Sequence, residues 1–249
     1  MPADHHVLSL NCGSSSVKLA VVDPASGARS VEGLAERVNT PEVTIRLVRG
    51  AVSTPLDPPD DVSHHGVVTA MIAGLSEAER SGVTAVGHRV VHGGSRFTTS
   101  VRVDGAVLDG LRDVEPLAPL HIPGNVAGML AARTALPDLE NVAVFDTAFH
   151  RTLPAYAYRY AVPRPWFEDH GVRRFGFHGI SHGYVSSRAA DVLGRPLEQL
   201  HLVTVHLGNG CSACAVREGE SVDTTMGLTP LEGLVMGTRS GDIDAGVLG

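Results

Sequence analysis

At 249 residues and 43% hydrophobic content, the chain can hold one large or two small domains with a full core. A net charge of -7 argues against a nucleic-acid or anionic-membrane surface, so any phosphate it binds must be met by a few placed cations. There is no long apolar run and no basic start followed by an apolar h-region, and three cysteines, an odd number, fit a reducing cytoplasm better than a disulfide framework.

In chain order, VLSLNCGSSSVKLAVVD (residues 7–23) predicts a strand, a tight turn at 13–16 and a second strand. Apolar alternation over 31–38 and 43–48 predicts two more strands, and TPLDPPDDVS reads as a link to a helix over 63–81. A strand over 83–91, a helix opening after Pro123 and a strand NVAVFD ending at Asp146 follow. Residues 150–179 read as irregular, and a helix over 181–193, N-capped by Ser181, stops at Gly194. LVTVHLGNGCSACAV (202–216) then echoes the opening hairpin, and after a short GESVDTT strand the chain reads as a helix just beginning, with Asp242 as its cap.

The echo carries the functional signal. Turn residues 13–16 and 208–212 lack bulk, so backbone N–H groups can close on phosphate oxygens, and two such hairpins make a phosphate clamp. No GxxxxGK[ST] is present, so this is not a Walker site. Either copy alone is equally an ordinary glycine-turn hairpin; the recurrence favours the clamp. Of 20 basic residues only Lys18 is a lysine, and it lies in the first hairpin, where a compact ammonium suits a single phosphate oxygen. Cys211 and Cys214 form a CxxC without a second ligand pair and read as small buried thiols.

Further chemistry sits where strands end. GHRVVHGG places Arg89 and His92 before a glycine pair, and FDTAFH puts Asp146 at the end of a buried strand, where a carboxylate needs a cation or donors. RFGFHGISH puts His178 and His182 just before a helix, and MGTRSGD puts Arg239 in a Gly/Ser loop. Asp146 could instead be a satisfied structural carboxylate, His182 a helix contact, and either arginine a surface residue.

NCGSSSVKL, HRVVHGG, LAPLH, VFDTAFH, FGFHGISH, HLGNG and GLTPLEGLVMGTRSGDID resemble, in order, the successive motifs of the acetate kinase family, within the superfamily of sugar kinases and actin-like ATPases. The resemblance implies an α/β fold of duplicated actin-like (ribonuclease H-like) domains. The first would cover 1–150; residues 151–249 would be a connecting segment and an incomplete second domain. It implies transfer of phosphate between ATP and acetate, giving acetyl phosphate and ADP, with Mg2+ or Mn2+, in a cytoplasmic homodimer.

Carried over by motif, Asn11 assists the metal, while Lys18, His206, Leu207, Gly208, Asn209 and Gly210 meet the nucleotide. Asp146, Arg89, His178 and Arg239 are catalytic, and Arg89, Val91, Leu120, Phe177 and Pro230 line the acyl pocket. The chain departs from the family pattern at Ile122, Ile180, Gly183 and Cys211. Propionate or butyrate as acceptor and a noncatalytic fragment are the alternatives. Family members continue beyond Gly249, with the adenosine pocket and a magnesium-holding carboxylate, so the chain as given is expected not to be a competent kinase by itself.

Overall fold

The computed structural model describes residues 5–248. The chain divides into two compact units, Met1–Val90 with Ser100–Val144, and Val91–Thr99 with Phe145–Gly249. The division therefore falls at several points of the chain, and residues 91–99 go with the later half.

In the first unit the opening hairpin forms as the alternation predicts: β1 (His6–Cys12) runs antiparallel to β2 (Ser16–Val22), with Leu10 opposite Leu19 and Asn11 opposite Lys18. The two-residue period sends Leu8, Leu10, Cys12, Val17, Leu19 and Val21 to a buried face and leaves Ser9 and Lys18 on the other. β3 (Arg29–Glu36), β4 (Thr44–Arg49) and β5 (Val52–Leu56) extend the meander. On the other side of β1, β6 (Val83–Val90) pairs in parallel, and β7 (Val101–Arg102) and β8 (Glu140–Phe145) complete the order β5-β4-β3-β2-β1-β6-β8-β7. Helices α1 (His64–Ala73) and α4 (Ile122–Ala135) supply Val67, Val68, Met71, Ile72, Ala131 and Ala132 to the core under this sheet.

Several elements differ from expectation. The helix over 63–81 is two helices, α1 and α2 (Glu77–Ser81). Gly74 caps α1 and its carbonyl accepts from Arg49 Nη2 at 3.1 Å, while a Ser76–Glu79 capping box restarts the helix. Glu79 also receives Arg49 Nε at 2.7 Å, which holds its carboxyl near a pKa of about 2. The link TPLDPPDDVS begins inside β5, where Pro55 is tolerated because the strand is the sheet edge. β7 and α3 (Gly105–Asp113) lie where no element was expected, although Asp104 caps α3 by accepting from Val107 N and Leu108 and Leu111 form its buried face.

The second unit holds α5 (Ala155–Tyr158) and α6 (Arg164–Glu168) within the stretch expected to be irregular, then α7 (Gly179–Leu193). α7 ends at Gly194 in the left-handed conformation, as predicted, but starts two residues before the predicted cap. His178, with φ 58°, is the N-cap residue, and Ser181 Oγ bonds His206 Nδ1 at 2.9 Å instead of capping. β9 (His201–Leu207), β10 (Cys211–Arg217) and β11 (Glu220–Thr224) form a sheet in the order β11-β10-β9, the same meander as β3-β2-β1. The repeat seen in the sequence is thus a repeat of structure, and the fold is a duplicated α/β arrangement. Asp242 caps no helix: its Oδ1 accepts from Gly233 N at 2.7 Å, and Ala245–Leu248 is a single 3-10 turn.

Among the described residues no helix is long and apolar enough to cross a membrane.

Candidate active site

The first unit groups Asn11, Lys18 and Arg89 by strand register alone. Asn11 on β1 lies opposite Lys18 on β2 and beside Arg89 on β6, and Arg89 Nη1 donates to Asn11 Oδ1 at 3.1 Å. Asn11 and Lys18 also line a groove of about 540 Å³ with Ser9, Glu32 and Arg46. The first turn is pinned from behind by two residues that the motifs did not single out. His64 Nε2 bonds Gly13 O at 2.6 Å, and Asn125 Nδ2 donates to Cys12 O at 2.7 Å. One amide expected to serve a phosphate closes the turn itself, Gly13 N donating to Ser16 O at 2.7 Å. Leu120, expected in the acyl pocket, is 75% exposed ahead of α4.

The second unit gathers most of the remaining predicted residues. His178 bonds Ser212 Oγ through Nδ1 at 2.8 Å and stacks on His206, with ring centroids 4.0 Å apart. A Cβ on Gly210 would sit 3.2 Å from His178 Cε1 and Nε2 and 3.6 Å from Arg239 Nη1, so the absence of a side chain lets turn, imidazole and guanidinium meet. As in the first hairpin, one turn amide is used internally, Gly208 N to Gly210 O at 3.0 Å. Asn209 O accepts Gly237 N at 3.1 Å, joining this turn to the Arg239 loop, while Leu207 and Asn209 themselves are exposed.

Arg239 Nη1 donates to Pro230 O at 2.7 Å and reaches Met236 Sδ at 3.4 Å. Met236 belongs to a buried apolar cluster with Val91, Phe177 and Met226, against which Cys211 packs. A cation therefore stands beside a buried apolar cluster that contains two of the predicted pocket positions, Val91 and Phe177. The segment before Arg239 is anchored by Arg174, whose Nη1 donates to the carbonyls of Thr224, Thr225 and Met226 and whose Nη2 pairs with Glu232; Tyr160 also donates to Glu232. No motif argument pointed to this anchor.

Asp146 follows β8 directly and is buried; its carbonyl accepts Gly179 N at 2.8 Å, which seats the start of α7 on the turn after the strand. His150, in the same motif, bonds Ser221 Oγ at 2.8 Å and Phe177 O at 2.9 Å. Of the CxxC pair, Cys214 is buried and its thiol is pushed up to about 11 by burial, as that of Cys12 is pushed up to about 12, whereas Cys211 is only half-buried, contrary to expectation.

Burial lowers His92, His150 and His182 from 6.5 to about 4. Between those values the unfolded chain binds protons that the native one does not, so stability is complete above pH 6.5 and falls as pH drops toward 4. Each such histidine contributes roughly 1 kcal/mol per pH unit across that window. Thermal melts from pH 7 to 4.5 should show the decline, shallower in His150→Gln; a flat Tm over that range would exclude it.

The acetokinase family model matches residues 6–249. Acetate kinase of Deinococcus radiodurans is 55% identical over 96% of this chain and 60% of that protein, and acetate kinase of Trichlorobacter lovleyi is 50% identical over 97% and 59%. Among solved structures, Porphyromonas gingivalis acetate kinase superposes with TM-score 0.92 at 41% identity, covering 98% of this chain and 63% of its own. A propionate kinase from Francisella tularensis gives TM-score 0.90 at 42% identity with the same coverage. The chain spans about 60% of the length of the curated relatives it matches. Motifs, duplicated meander and these likenesses agree: the chain belongs to the acetokinase family.

Proposed function

We propose that the protein transfers the γ-phosphoryl group of ATP to acetate, reversibly, giving acetyl phosphate and ADP. The observation that carries this reading is the Arg239 guanidinium set between His178 and an apolar cluster that includes Val91 and Phe177. Such a pair of surfaces suits a substrate with a carboxylate at one end and a methyl group at the other.

The acceptor carboxylate is ionised at neutral pH, so no base is needed to activate it. The obstacle is repulsion between two anions, and a loose phosphoryl transition state spreads charge over three equatorial oxygens. Arg89 and Arg239 neutralise the reacting anions, and His178 donates to the transferring group. Asp146, buried at a strand end, orients a cation or water instead of serving as an obligate base. Lys18 and the turn at 206–210 meet the nucleotide phosphates.

Magnesium or manganese bound with the nucleotide would supply further neutralisation of the phosphates. Among the described residues no three His, Cys, Asp or Glu side chains gather into a metal site. Within this chain Asn11 Oδ1 would offer the ion a hard oxygen ligand, since its carbonyl accepts from Arg89 and keeps a second lone pair, beside the carboxylate that the resemblance places beyond Gly249. A cytoplasmic homodimer completes the proposal.

The propionate kinase likeness supports a second acceptor for the same chemistry. In a hydrophobic pocket one methylene is worth about 1–3 kcal/mol, so acetate should be preferred with measurable turnover of propionate. Acyl phosphate formation by the full-length protein with acetate, propionate and butyrate tests both readings; no product with any of them overturns them. Val91→Ala should narrow the acetate-to-propionate gap, and an equal or wider gap would remove Val91 from the pocket.

A further inference from the structure

Arg173 and Arg174 are chain neighbours with opposite surroundings. Arg174 gives its guanidinium to three carbonyls and Glu232. Arg173 is half-buried too, yet its hydrogen bond is a single one, Nε to Arg174 O at 3.2 Å. Its Cζ lies 3.9 Å from the centre of the Tyr158 ring and 5.4 Å from that of Phe175. Stacking of this kind holds the plane of the guanidinium and leaves its edges for acceptors. Among the described residues no carboxylate pairs with Arg173 and no acceptor meets its two terminal amino groups. Burial draws its pKa below the ordinary arginine value.

Arg173 lines a cavity of about 90 Å³, room for about three water molecules. Arg151 is a second cation on its wall, and the lining contains no Asp or Glu. The histidine there, His150, is lowered to about 4 by burial and has both ring nitrogens bonded, so it is neutral. Buried Thr147 adds a hydroxyl: its Oγ1 accepts from Gly93 N at 3.0 Å, and its own hydrogen meets no acceptor among the described residues. The exposed Ser95 and Thr98 contribute two further hydroxyls. None of the residues to which phosphoryl transfer assigns a role lines this space.

We propose that the cavity binds one small tetrahedral oxyanion, with inorganic phosphate as its type, held by Arg173 and Arg151 and by the Thr147 hydroxyl. A wall of cations and hydroxyl donors without a carboxylate calls for an anion. The size admits a single oxyanion and excludes a nucleotide. Donors on three chain segments, at 95–98, 147–151 and 173, suit a ligand with oxygens in several directions, where a carboxylate offers two in one plane. The proposal does not rest on phosphoryl transfer to acetate.

The test titrates the full-length protein with inorganic phosphate, by calorimetry and thermal melts, against sodium chloride of equal ionic strength. Phosphate should bind saturably and raise Tm beyond the chloride control. Arg173→Gln should weaken that binding by about tenfold or more, as loss of a charged donor does. Arg151→Gln should weaken it less, and Arg239→Ala should leave it in place. Sulfate should compete and acetate should not. No stabilisation beyond chloride would overturn the site, and so would binding that is lost in Arg239→Ala but kept in Arg173→Gln, which would put the phosphate among the residues of the proposed transfer. Acetate competing as well as sulfate would overturn the tetrahedral preference. Should Arg173→Gln fail to fold, Arg151→Gln, at an exposed position, decides by itself: unchanged phosphate affinity there overturns the proposal.

Discussion

Arg239→Ala in the full-length protein is expected to lower kcat by about 10²-fold or more, the loss typical of a principal transition-state donor. The same change should move Tm by only a few degrees. Arg239 is half-buried, and the bonds it forfeits within this chain are those to Pro230 O at 2.7 Å and Met236 Sδ at 3.4 Å. One neutral acceptor left to water costs about 1 kcal/mol, or roughly 2–4 °C for a protein of this size. Arg239→Lys keeps the charge but loses the planar fork, so it should recover only part of the rate. Parallel melts and initial rates decide the matter. A variant that unfolds early, or one that keeps its rate, would reassign Arg239 to a structural role.

That asymmetry between rate and stability reflects how the site is built. Arg239 reaches its place through backbone contacts around it: Met236 N to Arg239 O at 3.0 Å, Gly237 N to Asn209 O at 3.1 Å, and paired bonds between Gly233 and Asp242. Arg174 fixes the preceding segment through three carbonyls and Glu232. The guanidinium is thus delivered by a scaffold that does not depend on it, as a preorganised electrostatic group should be.

The strands were legible because their signal is local. Leu8, Leu10 and Cys12 alternate with polar neighbours, and the same alternation around a glycine turn at 208–210 betrayed the second copy. The catalytic candidates were legible from motif resemblance, and within the second unit the structure brings His178, Gly210 and Arg239 to one place. What stayed hidden depends on partners far apart in sequence. His64 and Asn125 hold the first turn across separations of 51 and 113 residues, and nothing in their own neighbourhoods marks them. Ser212 looked like a turn residue, yet it bridges two histidines. The split at Gly74 and Ser76 was missed because apolar periodicity runs on through a break made by caps. Ser181 was chosen as a cap on side-chain chemistry, but Gly179 N is met by the Asp146 carbonyl, a tertiary partner that makes a local cap unnecessary.

That last contact yields a severe substitution in the second unit. Gly179 is the first residue of α7, its N–H donates to Asp146 O at 2.8 Å, and a Cβ there would lie 2.3 Å from the same oxygen and 2.8 Å from Phe149 Cβ. Neither obstacle is the far end of a flexible side chain, so Gly179→Ala must push the helix start and the turn after β8 apart. Overpacking of this kind costs about 1–3 kcal/mol, which is a Tm loss of roughly 2–12 °C at this chain length. Activity should suffer more, because the two segments forced apart carry Asp146 and His178, and His178 is already held at φ 58° by its surroundings. A displacement of about 1 Å in a positioned group is enough to cost on the order of 10²-fold in rate. Gly105→Ala is the control: Gly105 is likewise the first residue of a helix, α3, but nothing lies within 4 Å of its added methyl, so stability should hold or rise by about 0.4–1 kcal/mol. Melts and rates of the two variants, taken side by side in the full-length protein, separate a general intolerance of alanine at helix starts from this specific contact. Wild-type behaviour of Gly179→Ala would show that the Asp146 turn and α7 can part without consequence, and the proposed pairing of these two residues in one catalytic machinery would lose its structural basis.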